Sequence, residues 1–128
     1  MSKRSEEKQR EHDLIVRTSY KTWVERGDVR AYQNPGDEHN FSVAGSYFPD
    51  VVVMDLNNNL YLVEEVETEE TVTSEELEEW KHFAGFGVLL NLIVPEGKKD
   101  EALRLIDGIS NIRLQTYTFK NGQLEFHI

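Results

Sequence analysis

The sequence predicts a single α/β domain in which helices flank a mixed β-sheet. Amphipathic helical patterns alternate with short apolar runs, in the order helix, three strands, helix, strand, helix and hairpin. A chain of 128 residues is long enough to bury one hydrophobic core. We therefore interpret residues 1–128 as one domain of α/β (α+β) class, built from layers of helix and sheet.

The first half of the chain contains the predicted first helix and the first two strands. Apolar residues at helical spacing predict a helix over residues 5–26, and Gly27 is a typical stop signal. Residues 29–33 form a short strand candidate, which the turn sequence Asn-Pro-Gly at 34–36 ends. Residues 51–54 are apolar at every position, as expected of a strand covered on both faces.

The second half continues the same alternation. Residues 60–63 resemble the preceding buried strand, and a helix is predicted from about residue 73 to residue 84. Another buried strand follows over residues 88–94, and then an amphipathic helix over residues 98–109. The Asn-Gly pair at 121–122 predicts a tight turn, so the chain ends in a hairpin.

Charge is distributed unevenly along the chain. The net charge is −10, and residues 31–80 contain thirteen Asp and Glu residues but no Lys or Arg. Proteins bind DNA backbones largely through Lys and Arg, which displace counterions from the phosphates. The acidic stretch therefore disfavours direct contact with nucleic acid, and any function on nucleic acid has to account for it.

Composition also indicates the compartment. The chain has no cysteine, which excludes disulfides and thiolate zinc sites. No apolar run approaches the length of a membrane helix, and the first residues lack the apolar stretch of a signal peptide. We expect a cytoplasmic protein that makes no contact with membranes.

Carboxylates follow the second buried strand without a break in its pattern. Glu64, Glu65 and Glu67 occupy positions where a core strand would continue, and buried carboxylates are costly unless they are paired or bind a cation. If the preceding loop has four residues, Asp50 lies opposite Glu65 on one face, with Glu67 next along that face. A three-residue loop would instead place Asp50 and Glu65 on opposite faces. Glu64 faces the other way, and we expect it to be solvated.

Such a pair of like charges needs a cation or a shared proton. Hard oxygen ligands on neighbouring strands suit Mg²⁺ or Mn²⁺, which bind one or two carboxylates together with waters and substrate phosphate. The sequence therefore predicts a divalent-metal site at Asp50 and Glu65. His12, on the apolar stripe of the first helix, is expected to be a core-edge histidine.

The same residues carry a resemblance to a known family. Pro49-Asp50 and Glu65-Val66-Glu67, with fourteen residues between Asp50 and Glu65, resemble the motif of the PD-(D/E)xK, or restriction-endonuclease-like, nuclease superfamily. The resemblance implies a core in the order αβββαβ, to which this chain adds a C-terminal helix and hairpin. It also implies that Asp50 and Glu65 bind the catalytic metal, helped by the backbone carbonyl of Val66.

The chain departs from this family at the third motif position. Glu67 stands where the family has a lysine that assists the attacking water. Some members carry that lysine on the following helix, where Lys81 is the candidate here. The run from Glu79 to Phe83, EWKHF, is similar to a Q-x-x-x-Y motif of some nuclease branches but is altered at both ends.

Two classes of function are compatible with this pattern. In the first, the protein is a Mg²⁺-dependent phosphodiesterase acting on DNA, in which Lys81 supplies positive charge and Glu67 recruits further metal or positions water. A small enzyme without a basic platform is expected to work as a homodimer or in a larger assembly. In the second, the protein has the nuclease-like fold but no catalytic activity. The acidic stretch 31–80 then binds a basic protein, for example by resembling nucleic acid.

Overall fold

The computed structural model of the protein describes residues 4–36, 38–43 and 47–127. Within these residues, three α-helices and six β-strands follow one another in the predicted order. Their bounds are α1 Glu6–Arg26, β1 Arg30–Gln33, β2 Val51–Met54, β3 Leu60–Val66, α2 Leu77–Ala84, β4 Leu89–Pro95, α3 Lys99–Ile106, β5 Ile112–Lys120 and β6 Gln123–His127. Short 3₁₀ turns, Ser74–Glu76 and Glu96–Lys98, precede α2 and α3.

The six strands form one mixed sheet in the order β1-β2-β3-β4-β5-β6. The first three strands are antiparallel to one another, β3, β4 and β5 are parallel, and β6 returns antiparallel to β5. The prediction of a mixed α/β domain is therefore confirmed. The parallel strands place the carboxyl ends of β3 and β4 at the same edge of the sheet.

Helix α1 has clear sequence signals at both of its ends. Ser5 is the N-cap, and its hydroxyl oxygen accepts a hydrogen bond from the Lys8 N–H at 3.2 Å. Gly27 ends the helix with φ +77°, a conformation that glycine adopts without strain. Among the described residues, no helix is long and apolar enough to span a bilayer.

The sheet is covered on both faces. On one face, Ile15 and Val16 of α1 pack against a cluster that includes Val53 of β2 and Ile93 of β4. On the other face, α2 and α3 cover a second cluster; its fully buried members include Val63, Trp80, Leu90, Leu92 and Ala102. Coverage on both sides explains why β2 and β4 are apolar along nearly their whole length.

The turn between β2 and β3 is the shorter of the two that the sequence allows. The Asp55 N–H donates to the Asn59 carbonyl at 2.8 Å, which closes a loop of three residues, 56–58. The side chain of Asp55 also accepts the N–H groups of Asn57 and Asn59, and Asn58 adopts φ +65°. These local bonds favour the tight turn, so the loop has three residues rather than four.

A β-bulge in β3 compensates for the shorter turn. Met54 pairs with Leu60, but Val53 pairs with Leu62, so Tyr61 is an extra residue on β3. Beyond the bulge the pairing continues regularly to Val51 and Glu64. The next residues, Asp50 and Glu65, therefore face each other, although a three-residue loop was expected to place them on opposite faces.

Candidate acidic active site

Asp50 immediately precedes β2 and is held there as an ionised carboxylate. Its Oδ2 accepts a hydrogen bond from the Val66 N–H at 2.8 Å and lies 3.0 Å from Nε2 of His12. Burial acts to raise the pKa of Asp50, but the charge and hydrogen bond of His12 and the bond from Val66 outweigh it. The pKa of Asp50 is therefore lowered.

Glu65 faces Asp50 and lacks this compensation. Its Oε2 accepts the backbone N–H of Asp50 at 2.9 Å. Burial and the negative charges of Asp50 and Glu79 raise the pKa of Glu65 well above its ordinary value, and Glu79 of α2 comes close enough to share a hydrogen bond with it. Three carboxyl groups from two strands and a helix therefore meet here, with excess negative charge centred on Glu65.

His12 connects this cluster to α1. The ring is buried, and its Nδ1 lies 2.9 Å from Oδ1 of Asp13, which also accepts bonds from Gln9 Nε2 and the Gly36 N–H. Burial acts to lower the pKa of His12, but Asp50 and Asp13 raise it above its ordinary value. Both ring nitrogens face carboxylates, which favours the imidazolium form. The prediction of a core-edge histidine is confirmed for burial but missed the contact with Asp50.

Glu67 is directed into the protein. Its Oε1 accepts a hydrogen bond from Arg4 Nη2 at 3.2 Å, and its Oε2 accepts the Trp80 indole N–H at 2.8 Å. Burial raises the pKa of Glu67 to about 8, although bonds from Thr71 and Trp80 and the charge of Arg4 act to lower it. Glu67 is thus a buried acceptor that fixes the positions of Arg4 and Trp80.

The backbone carbonyl of Val66 is occupied by a protein cation. Arg4 Nη2 donates to the Val66 carbonyl oxygen at 3.0 Å. The resemblance assigned this oxygen to the metal, but the structure assigns it to a guanidinium group. The Val66 N–H, in contrast, is part of the site because it bonds Asp50.

Lys81 does not join the carboxylate cluster. Its side chain is 48% exposed, and its Nζ lies 3.8 Å from Oε1 of Glu78, one turn earlier on α2. The helical period explains this, because Trp80 and Ala84 occupy the buried face of α2 and position 81 projects beside it. Glu79, rather than Lys81, is the α2 residue that reaches Glu65.

Glu64 is buried, so the expectation that it would be solvated is wrong. Its side chain is almost completely covered on the α1 face of the sheet. It accepts hydrogen bonds from the Ser19 hydroxyl and from Asn91 Nδ2, the latter at 2.7 Å. Burial raises the pKa of Glu64 despite these bonds. This polar network lies on the opposite face from Glu65, because neighbouring strand residues point in opposite directions.

The carboxylates of Asp50 and Glu65 fit the predicted metal, but the backbone carbonyl of Val66 does not. Within residues 4–36, 38–43 and 47–127, no group of three or more His, Asp or Glu side chains is arranged as a metal site. Mg²⁺, however, is usually held by one or two carboxylates, with waters and substrate phosphate completing its octahedron. Asp50 and Glu65 provide such a pair, and the raised pKa of Glu65 shows that positive charge would stabilise it.

Sequence reasoning missed three residues of this site. His12 carried a signal, since a polar residue on the apolar stripe of α1 needs a partner. Glu79 carried a weaker signal, as the first residue of the altered EWKHF motif. Arg4 gave no signal, because it precedes the helix and its contact with Val66 spans 62 residues.

Comparison of the chain with protein-family models, with curated proteins and with solved structures gave no match.

Proposed function

We propose that the protein is a divalent-metal-dependent phosphodiesterase that cleaves DNA. The observation that carries this proposal is the opposition of Asp50 and Glu65 at the ends of two paired strands. One carboxylate is held ionised by His12, while the other lies in excess negative charge. A hard divalent cation would relieve this repulsion and would bring a phosphate to the same place.

Asp50 and Glu65 are the residues that would hold Mg²⁺ or Mn²⁺. When bound, the ion supplies Lewis acidity to the scissile phosphate and to the attacking water. The protein contributes fixed geometry: the Val66 N–H and His12 orient Asp50, and the Asp50 N–H orients Glu65. Such outer contacts hold metal ligands in place and strongly affect metal affinity.

The order of elements supports the assignment to the restriction-endonuclease-like class. The core would be α1, the antiparallel strands β1 to β3, α2 and then β4 parallel to β3. Lys and Arg residues occur only in residues 1–30 and 81–128. Contact with DNA would therefore use these segments, and a homodimer would double the basic surface available to a duplex.

The direct test is cleavage of plasmid and oligonucleotide DNA in Mg²⁺ and in Mn²⁺. We expect Asp50→Ala and Glu65→Ala to reduce cleavage by at least about 100-fold, the usual effect of removing a group that stabilises the transition state. Glu78→Ala removes an exposed carboxylate from α2 and is the matched control. Cleavage that survives in Asp50→Ala would show that another site, or a contaminant, is responsible.

One observation favours the alternative, an inactive fold that binds a basic protein. A cavity of about 300 Å³ is lined by Glu11, Glu69 and Glu96 together with Tyr117 and Phe119. Carboxylates beside aromatic rings suit the side chain of Lys or Arg. Complete absence of cleavage, with binding of a Lys-rich peptide that is lost in Glu69→Gln, would favour this alternative.

A further inference from the structure

The carboxylate cluster lies beside Arg4, a cation that no motif identifies. We propose that Arg4 binds the substrate phosphate and stabilises negative charge on it during cleavage. This inference rests on the proposed phosphodiesterase function. It assigns to Arg4 the positive charge that was expected from Lys81.

The position of Arg4 places its guanidinium group next to the proposed metal ligands. Arg4 Nη2 bonds the carbonyl oxygen of Val66, and the N–H of Val66 bonds Asp50. Arg4 is therefore separated from Asp50 by the backbone of one residue. The charge of Arg4 is also felt by His12, whose pKa it acts to lower. A phosphate bound at Asp50 and Glu65 would lie within reach of this guanidinium.

Contacts on both sides hold Arg4 in this place. Glu67 Oε1 accepts from its Nη2, and the next residue, Ser5, donates its N–H and hydroxyl to Oε1 of Glu70 at 2.9 and 3.3 Å. Ser5 also caps α1. Because the backbone and the guanidinium are both fixed, little conformational entropy would be lost when Arg4 binds an anion.

The described residues do not fully satisfy the guanidinium group. It has five N–H donors in a planar fork, and Nη2 makes both bonds described above. Its Nε is buried and has no hydrogen-bond partner within residues 4–36, 38–43 and 47–127. Phosphate oxygens match the guanidinium fork and form charge-assisted hydrogen bonds with it. His12, the other cation at the cluster, already uses both ring nitrogens for Asp13 and Asp50.

The experiment compares Arg4→Gln and Arg4→Lys with the wild type, and uses Arg10→Gln as the control. Arg10 is exposed on α1, the helix that Arg4 precedes, so this control removes the same charge away from the cluster. Binding of a short fluorescein-labelled DNA duplex is measured by anisotropy across a salt series, in EDTA and in Ca²⁺. Cleavage is measured separately in Mg²⁺, and the melting temperature of each variant is recorded.

We expect Arg4→Gln to reduce the salt dependence of binding by about one unit of slope, the loss of one phosphate contact. Cleavage should fall by at least about 100-fold. Arg4→Lys should keep the wild-type slope but cleave at least about tenfold more slowly, since one ammonium cannot replace the fork. Arg10→Gln should retain full cleavage. If Arg4→Gln does not fold, Arg4→Lys still tests the proposal.

Two results would contradict the proposed role of Arg4. If Arg4→Gln or Arg4→Lys melts at a lower temperature but keeps the wild-type salt slope and cleavage rate, Arg4 only fastens the segment before α1 and the inference is wrong. In that case the proposed function stands, because the wild type still cleaves. If the wild type neither binds nor cleaves DNA, the proposed function fails and this inference fails with it.

Discussion

The backbone N–H of Asp50 donates to Oε2 of Glu65 at 2.9 Å, yet the pKa values of the two carboxyl groups are shifted in opposite directions. His12 and the Val66 N–H stabilise the charge of Asp50. The ionised form of Glu65 is destabilised by burial and by the negative charges of Asp50 and Glu79. The pair is therefore asymmetric. The protein stabilises the negative charge of Asp50 without a metal cation, but it does not stabilise the charge of Glu65.

This asymmetry predicts opposite effects of two similar substitutions on metal-free stability. Glu65→Gln removes an uncompensated buried charge, and should raise the free energy of unfolding by about 1 kcal/mol. Asp50→Asn removes the charge that pairs with His12, and should lower the free energy of unfolding by about 1–3 kcal/mol. Urea unfolding at neutral pH in EDTA measures both. Changes of the same sign would contradict the proposed asymmetry.

Stability without metal should depend on pH through Glu67. Its pKa is about 8 in the folded protein, against an ordinary value of 4.5. Between these values the folded state keeps a proton that the unfolded chain has lost, so the free energy of unfolding falls as pH rises from 4.5 to about 8. The slope from one such group is at most about 1.4 kcal/mol per pH unit.

Glu67→Gln should flatten this dependence, because an amide does not titrate. Chemical unfolding at several pH values in EDTA measures the effect, with Glu78→Gln as the control for an exposed acid. The pKa values of the buried Glu64 and Glu65 are also raised, so the free energy of unfolding of Glu67→Gln should still fall with pH, but with a smaller slope. Parallel curves for the wild type and Glu67→Gln would exclude a role for Glu67.

Divalent metal should stabilise the folded protein. A Mg²⁺ or Mn²⁺ concentration ten times the dissociation constant adds about 1.4 kcal/mol to the free energy of unfolding, which raises the melting temperature by about 5 °C. Asp50→Ala should abolish this shift, and Glu78→Gln should keep it. Calorimetric melts with and without metal provide the measurement. An equal shift in Asp50→Ala would place the metal elsewhere.

Lys81→Met should leave DNA cleavage within about twofold of the wild type. The Lys81 ammonium pairs with Glu78 on the exposed side of α2, and exposed pairs of this kind contribute little. The measurement is the rate of DNA cleavage in Mg²⁺ under single-turnover conditions. A large loss, with partial rescue by Glu67→Lys, would instead support the role that the family resemblance assigned to Lys81.

Much of the fold could be predicted from local pattern. Helix α1 was predicted from apolar spacing and Gly27, and the β5–β6 hairpin from the Asn-Gly turn at 121–122. The opposition of Asp50 and Glu65 was predicted for a loop of four residues, whereas the loop has three. The bulge at Tyr61 restored the register, and no local signal in the turn sequence predicts it.

The sequence by itself determined the order of elements and the two strands that carry Asp50 and Glu65. These features depend on interactions between near neighbours in the chain, such as capping, turn bonds and the alternation of side chains along a strand. Only the tertiary structure decided that Glu67 would pair with Arg4, that Glu79 would approach Glu65, and that Lys81 would face solvent. The Arg4–Glu67 contact joins residues 63 apart in the chain, and the packing of α1 and α2 on the sheet fixes which side chains meet.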